Sequence, residues 1–177
     1  VMGSKNLKGV VVFGTQKVPI HDPEAFKKLL KDIMAGFKEA TKKGPLPLRV
    51  YGTAITSTGT QNVGAYPTRN FQQGTFEHWK DIGGEVLTEK YLVRTKSCYS
   101  CPISCGRVTR VAEGPFQGEG EGPEYETVYA LGSNCGVRDF AAVIKANYIC
   151  NEMGIDTISA GATIACAMEM YERGILD

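Results

Sequence analysis

The run Asp22-Pro23-Glu24, followed by Phe26, Leu29, Leu30, Ile33, Met34 and Phe37, constrains this chain more than any other stretch. An Asp able to accept from free amides, a Pro suited to the first turn and an early acid together define a helix start. The apolar residues then recur three and four apart, the period of one helical face. A helix from Pro23 to about Thr41 is expected, stopped by Gly44-Pro45 and with its stripe packed in a core. Two later segments carry the same punctuation. One runs from Asp139 to about Met153 before Gly154, the other from Asp156 to about Arg173 before Gly174. Phe76–Leu92 adds a helical stretch broken at Gly83-Gly84. Strand signals are fewer. Lys8–Phe13 (KGVVVF) reads as a buried strand, Arg107–Ala112 alternates like another, and GPFQGEGEGPEYE reads as a turn region. The predicted fold class is mostly α with a short β portion, α+β.

A net charge of +1 on 177 residues, with acids and bases mixed, argues against a nucleic-acid surface. No apolar run approaches the ~20 residues of a membrane helix. No leader is legible at the start, so a cytoplasmic location is expected, and cysteines then serve as metal ligands, catalytic thiols or core rather than as disulfides. The chain starts on Val1 and stops shortly after a helix, which suggests an internal piece of a longer protein. Between Tyr51 and Gly74 lies a long Gly-, Thr-, Asn- and Gln-rich stretch, either a surface loop or a segment wrapped on a ligand.

Three of the six cysteines fall within eight residues, Cys98-x2-Cys101-x3-Cys105. Such a loop can curl three soft, anionic donors around an iron–sulfur cluster. Pro102 and Gly106 would shape the curl, Gly106 also letting amides approach the sulfurs. Spacing alone leaves open a zinc site completed elsewhere, a redox pair of Cys98 and Cys101, and buried core; Cys135 in GSNCG is a candidate fourth ligand. Cys150 and Cys166 sit among apolar helical neighbours and read as core. His21 and His78 are far apart and read as surface residues. Glu119, Glu121, Glu124 and Glu126 crowd the segment after the cysteines. A charge run is usually a solvated face, but an acid opening a helix after Pro123 can serve as a general acid/base if it points into a cleft.

Taken in order, MGSKNLKGVVVFGT, NVGAYPTRNFQ, CxxCPISCGR, GPEYETVYALGSNCG and NEMGIDTISAG resemble the tungsten-dependent aldehyde:ferredoxin oxidoreductase family over nearly all of the chain. The resemblance implies that residues 1–20 close an N-terminal β domain that binds tungstopterin. Residues 21–177 would then form most of a largely helical middle domain with the cluster loop at 98–105. It further implies that Cys98, Cys101 and Cys105 are three ligands of a 4Fe–4S cluster, with the fourth beyond residue 177. Glu126 matches a proton-transferring carboxylate beside the tungsten (or molybdenum) bis-pterin, and Tyr125 a neighbouring pocket residue. Asn151, Gly154, Ile155 and Asp156 match a DxxGLD-type pterin motif, with Asn151 for Asp and Ile155 for Leu. Asn keeps hydrogen bonding but loses charge assistance. The helix from Asp139 lacks the Glu–His pair by which some members bridge subunits through iron. Implied partners are a small aldehyde or related substrate and a ferredoxin-like carrier, in a homodimer or a larger redox complex, with no membrane and no nucleic acid. Three other functions compete: a related tungsten subunit reducing an aromatic acyl-CoA, a zinc-bearing structural module and a thiol switch.

Overall fold

The computed structural model describes residues 1–177. They divide into two units, Val1–Gly44 and Pro45–Asp177.

In the first unit the expected helix forms as α1 (Pro23–Ala40), and the Asp22 carboxylate accepts from the Ala25 amide at 3.0 Å. Its stripe does not form a core. Phe26, Leu29, Leu30, Ile33 and Met34 remain 44–56% exposed, and no residue of the unit is buried. The expected strand Lys8–Phe13 is absent as well; Val10 to Phe13 run without regular structure. A strand needs a neighbour to take its amides and carbonyls, and this unit offers no second strand to pair with.

The second unit holds the core. α2 (Pro47–Tyr51) leads into the polar stretch, and α3 (Thr56–Asn62) occupies its front, where sequence alone left a surface loop or a ligand-wrapping segment open. Its hydroxyls turn inward on the backbone: Thr60 donates to the carbonyls of Thr56 and Ser57, and Ser57 is fully buried. Phe76–Leu92 is helical in short pieces, as the glycines dictate. A 3₁₀ turn (Trp79–Ile82) ends at Gly83, then α4 (Gly84–Val86) continues as a π-turn (Leu87–Tyr91).

An antiparallel meander follows, β1 (Leu92–Lys96), β2 (Gly106–Val111) and β3 (Gly118–Glu121), in the order β1-β2-β3. β3 lies where sequence alone gave only a turn. Its Gly-Glu alternation explains why: the glycine face lies flat on Tyr148, and a methyl placed on Gly120 would sit 2.7 Å from that ring. Tyr148 in turn donates to the Thr109 carbonyl at 2.7 Å, tying helix to sheet.

Three helices complete the unit: α5 (Tyr125–Leu131), α6 (Phe140–Met153) and α7 (Thr157–Glu172). Asp139 caps α6 and Asp156 caps α7, as expected, and Gly154 closes α6 at φ 69°. Tyr66, Phe76, Ile82, Leu87, Val128 and Ile144 are fully buried in the core between the helices and the inner face of β2. α5 and α7 meet almost backbone to backbone, because a Cβ on Gly161 would lie 2.3 Å from the Ala130 carbonyl oxygen. Gly161→Ala is therefore expected to force the helices apart and cost about 1–3 kcal/mol, read as a lower Tm. Gly59→Ala on α3 meets open space. It should be neutral or stabilising by up to about 1 kcal/mol.

Candidate functional site

All three clustered cysteines lie on the connection of the β1–β2 hairpin, whose base is the pair Lys96↔Gly106. Gly106 is required by that pairing, since a side chain there would meet the Lys96 carbonyl at 2.8 Å. This is a different reason from amide access to sulfur. Ser100 (φ 55°) and Ser104 (φ 62°) adopt left-handed backbone immediately before Cys101 and Cys105. The Cys101 amide donates to the Cys98 carbonyl at 3.1 Å, and the Ser97 hydroxyl donates to Ser104 Oγ at 2.8 Å. The loop is thus curled by its own backbone. All three thiols are free; Cys98 is exposed, Cys101 and Cys105 half-buried. The sulfurs do not converge on a common point, and no group of three His, Cys, Asp or Glu side chains is gathered as for a metal ion. The fit to a metal cluster is one of donor chemistry: three soft ligands on one short turn.

Behind the loop stands Arg107, the first residue of β2 to face inward and only 1% exposed. Its Nη2 donates to the carbonyls of Arg49 (2.8 Å) and Leu48 (3.2 Å) on α2, and its Nη1 reaches Gly106 O at 3.4 Å. Nε is buried without a partner. Burial pushes the guanidinium below its usual value, while the Glu124 carboxylate and the Cys105 thiol act in the other direction.

The four acids that sequence grouped together are dispersed. Glu119 pairs with Arg110 at 2.6 Å and Glu121 with Lys96, both on the exposed side of the sheet. Glu124 accepts from the Thr53 hydroxyl, which itself accepts from the Tyr125 amide at 2.9 Å, so the start of α5 is pinned to the turn after α2. Glu126 is exposed on the first turn of α5. The Tyr129 phenol beside it is pushed up to about 12, first by burial and then by the neighbouring Glu126 carboxylate. Tyr125 lies between two other tyrosines, 6.2 Å from the Tyr66 ring in a stacked arrangement and 5.5 Å from Tyr129. Its phenol donates to Thr60 Oγ1 at 3.1 Å. Burial raises Tyr66 and Tyr125 too. All three phenols therefore stay protonated through neutral pH; the Tyr66 oxygen accepts from the Ser57 hydroxyl at 3.4 Å.

This aromatic row, apart from Tyr125, escaped sequence reading. So did the device that completes it. Arg69, Asn70 and Phe71 form a left-handed run (φ 48°, 52° and 61°). The Arg69 and Asn70 amides donate to the Ser133 and Asn134 carbonyls (3.0 and 2.9 Å), and the Phe71 amide to Asn134 Oδ1 at 3.1 Å. The run sets the Phe71 ring edge-on to Tyr129 at 6.5 Å. TRNF and GSNCG are thus two halves of one contact, and the Asn in the first was the legible hint.

Asn151 lies in the last turn of α6, and Gly154, Ile155 and Asp156 form the connection to α7. The Asn151 side chain donates through Nδ2 to Glu121 O at 3.2 Å, and Ile155 is exposed. Asp156 accepts from the Ser159 amide at 2.7 Å, which holds its carboxyl below the usual range. A group whose folded value is depressed stabilises above its unfolded value and loses that contribution as pH falls through the folded one. α7 should accordingly loosen below about pH 4. In Asp156→Asn this acid-dependent step should be gone from the helical circular dichroism signal. A cavity of about 480 Å³ beside Asn151 is also lined by Glu124, Asn147 and Thr157, so the turn and the start of α5 share one cleft.

The remaining sequence candidates separate. Cys135 is buried, and its thiol donates to the carbonyls of Ala130 (3.3 Å) and Gly161 (3.4 Å). Burial pushes that thiol up, which disfavours the thiolate a ligand needs. Cys150 is core, as expected. Cys166 is not: it lies on the outward face of α7 and is exposed, because only the side of that helix with Gly161 and Ala165 meets the core. His21 is exposed and His78 packs its ring against Phe76.

By fold the second unit is an α+β domain in which a three-stranded meander, with its cysteine hairpin, rests on a helical core. The family model for aldehyde ferredoxin oxidoreductase, domains 2 and 3, matches residues 28–177, and the chain belongs to that family. It is 48% identical over 177 residues to the tungsten-containing aldehyde ferredoxin oxidoreductase of Thermococcus kodakarensis, covering 99% of this chain. It is 47% identical over 175 residues to the enzyme of the same name from Pyrococcus furiosus, covering 98%. A more distant relative, the aliphatic sulfonate oxidoreductase, WOR-like subunit, of Pyrococcus furiosus, is 29% identical over 182 residues and again 99% of the chain. The chain spans 28% of the length of each of these relatives. No helix is long and apolar enough to cross a membrane.

Proposed function

We propose that this chain is the part of a tungsten-containing, aldehyde-oxidising enzyme that supplies three ligands of a 4Fe–4S cluster and the proton-handling carboxylate. In this reading residues 1–20 close the N-terminal β domain and residues 21–177 form most of the middle helical one. The observation that carries the reading is the set of three free thiols on a single hairpin turn, in a chain that falls within this family. Bound, the tungsten bis-pterin (or its molybdenum counterpart) would take up an electron pair as an aldehyde and water become a carboxylate, and the cluster would pass electrons singly to a ferredoxin-type carrier.

The chain's own residues have distinct tasks. Cys98, Cys101 and Cys105 supply thiolates, held by the left-handed serines and the Ser97–Ser104 bond. Glu126 accepts the proton released at the substrate. Tyr129, which stays protonated at neutral pH, stands beside Glu126 as a neutral neighbour of its carboxylate. Tyr125, wedged between Tyr66 and Tyr129, walls the pocket. Asn151 and Asp156 offer a pterin a neutral amide and a carboxylate on an open turn. The enzyme is placed in the cytoplasm.

Metal analysis and turnover of the full-length protein test this together. Tungsten and iron in the protein, with aldehyde-dependent reduction of ferredoxin, are expected. Zinc as the sole metal would sink the proposal, and turnover of a sulfonate but no aldehyde would redirect it to the chemistry named for the distant relative.

A further inference from the structure

Arg107 is a buried cation with no buried anion to balance it. None of the ion pairs of the protein includes it, and the Glu124 carboxylate, which raises it from a distance, is committed to Thr53. The carbonyls of Leu48, Arg49 and Gly106 satisfy its Nη groups but carry no net charge. Nε–H is left over, buried and unpaired. Gly52, at φ 68°, packs directly on that edge: a methyl there would lie 2.7 Å from Nε and 3.1 Å from the Cys105 carbonyl oxygen. One glycine thus touches both the unpaired side of the guanidinium and the backbone of the third cysteine. A second arginine, Arg49, donates to the Pro102 carbonyl inside the loop at 3.4 Å.

A guanidinium withdrawn from water without a counter-charge is costly. The arrangement becomes reasonable if an anion occupies the cysteine loop. A cubane with thiolate ligands is such an anion, and it gains a further negative charge on reduction. We infer that Arg107 is the internal counter-cation of the metal cluster held by Cys98, Cys101 and Cys105, raising the cluster's reduction potential and anchoring the Cys105 end of the loop to α2. The inference rests on the cluster reading of those cysteines. Charge near a cluster is one of the quantities that set its potential. Arg107 is a positioning and tuning residue, since nothing places it against substrate.

The test uses the full-length holoenzyme, with iron content and the cluster's midpoint potential followed by EPR-monitored redox titration. Arg107→Gln removes the charge and keeps an amide donor for the Leu48 and Arg49 carbonyls; Arg107→Lys keeps the charge and loses the planar fork. In the Gln variant, reduction should be about tenfold less favourable, which is 59 mV more negative for one electron. The Lys variant should retain the parent potential. Iron retained by Lys and lost by Gln also supports the inference. A parent potential in a fully loaded Gln variant would overturn it, as would loss of iron from both variants, which marks a shape requirement alone. Failure of the underlying reading looks different: the unsubstituted protein would then show no iron and no cluster signal.

Discussion

Cys105→Ser in the full-length protein should strip most of the iron and abolish aldehyde-dependent ferredoxin reduction. Among the three proposed ligands, Cys105 has the most constrained backbone. Ser104 turns left-handed just before it, Gly106 pairs with Lys96 just after it, and Arg107 is bonded into α2 one residue further on. A serine hydroxyl fits the same space but is a harder and much less acidic donor than a thiol. The loss should exceed the about 10–100-fold in metal affinity or activity that removal of an outer partner costs. Cys135→Ser, by contrast, should leave iron unchanged, because that thiol is committed to two carbonyls in the core. Equal iron loss in both variants would show that iron depends on folding rather than on ligation.

Glu126→Gln is the second large effect expected. Gln keeps the shape of the side chain beside Tyr129, but it cannot take a proton. Turnover should fall by about 10²–10⁴, the usual contribution of a positioned acid/base, with tungsten and iron contents intact. Loss of metal would instead assign Glu126 to assembly. Glu124→Gln makes a useful contrast, since Glu124 fastens the start of α5 to Thr53 and should act mainly on stability.

Much of the frame was legible in the residues. Capping aspartates followed by apolar periodicity located α1, α6 and α7 to within a residue or two, because a cap and a helical period are local interactions. The Gly83 break was legible for the same reason, and Cys98, Cys101 and Cys105 stood out by spacing. Readings that needed a partner fared worse. KGVVVF has the composition of a strand but no neighbour here to pair with. The stripe of α1 has the pattern of a core face but nothing in its unit covers it. Cys166 resembled a buried thiol, yet α7 buries only its glycine and alanine side. β3 was hidden because its glycines belong to Tyr148, far away in sequence.

The candidate site divides along the same line. Residue type and spacing by themselves determined that this chain has three thiols in one turn, acids at a helix start, and an aspartate cap beside a Gly turn. Each of these is written within a few residues. Only the tertiary structure decided which of the four acids are held in ion pairs, that Tyr66, Tyr125 and Tyr129 form one row, and that TRNF grips GSNCG. It also decided that a lone buried guanidinium stands behind the third cysteine. Burial and unpaired charge depend on what the rest of the chain brings up against a residue, and no local pattern records that.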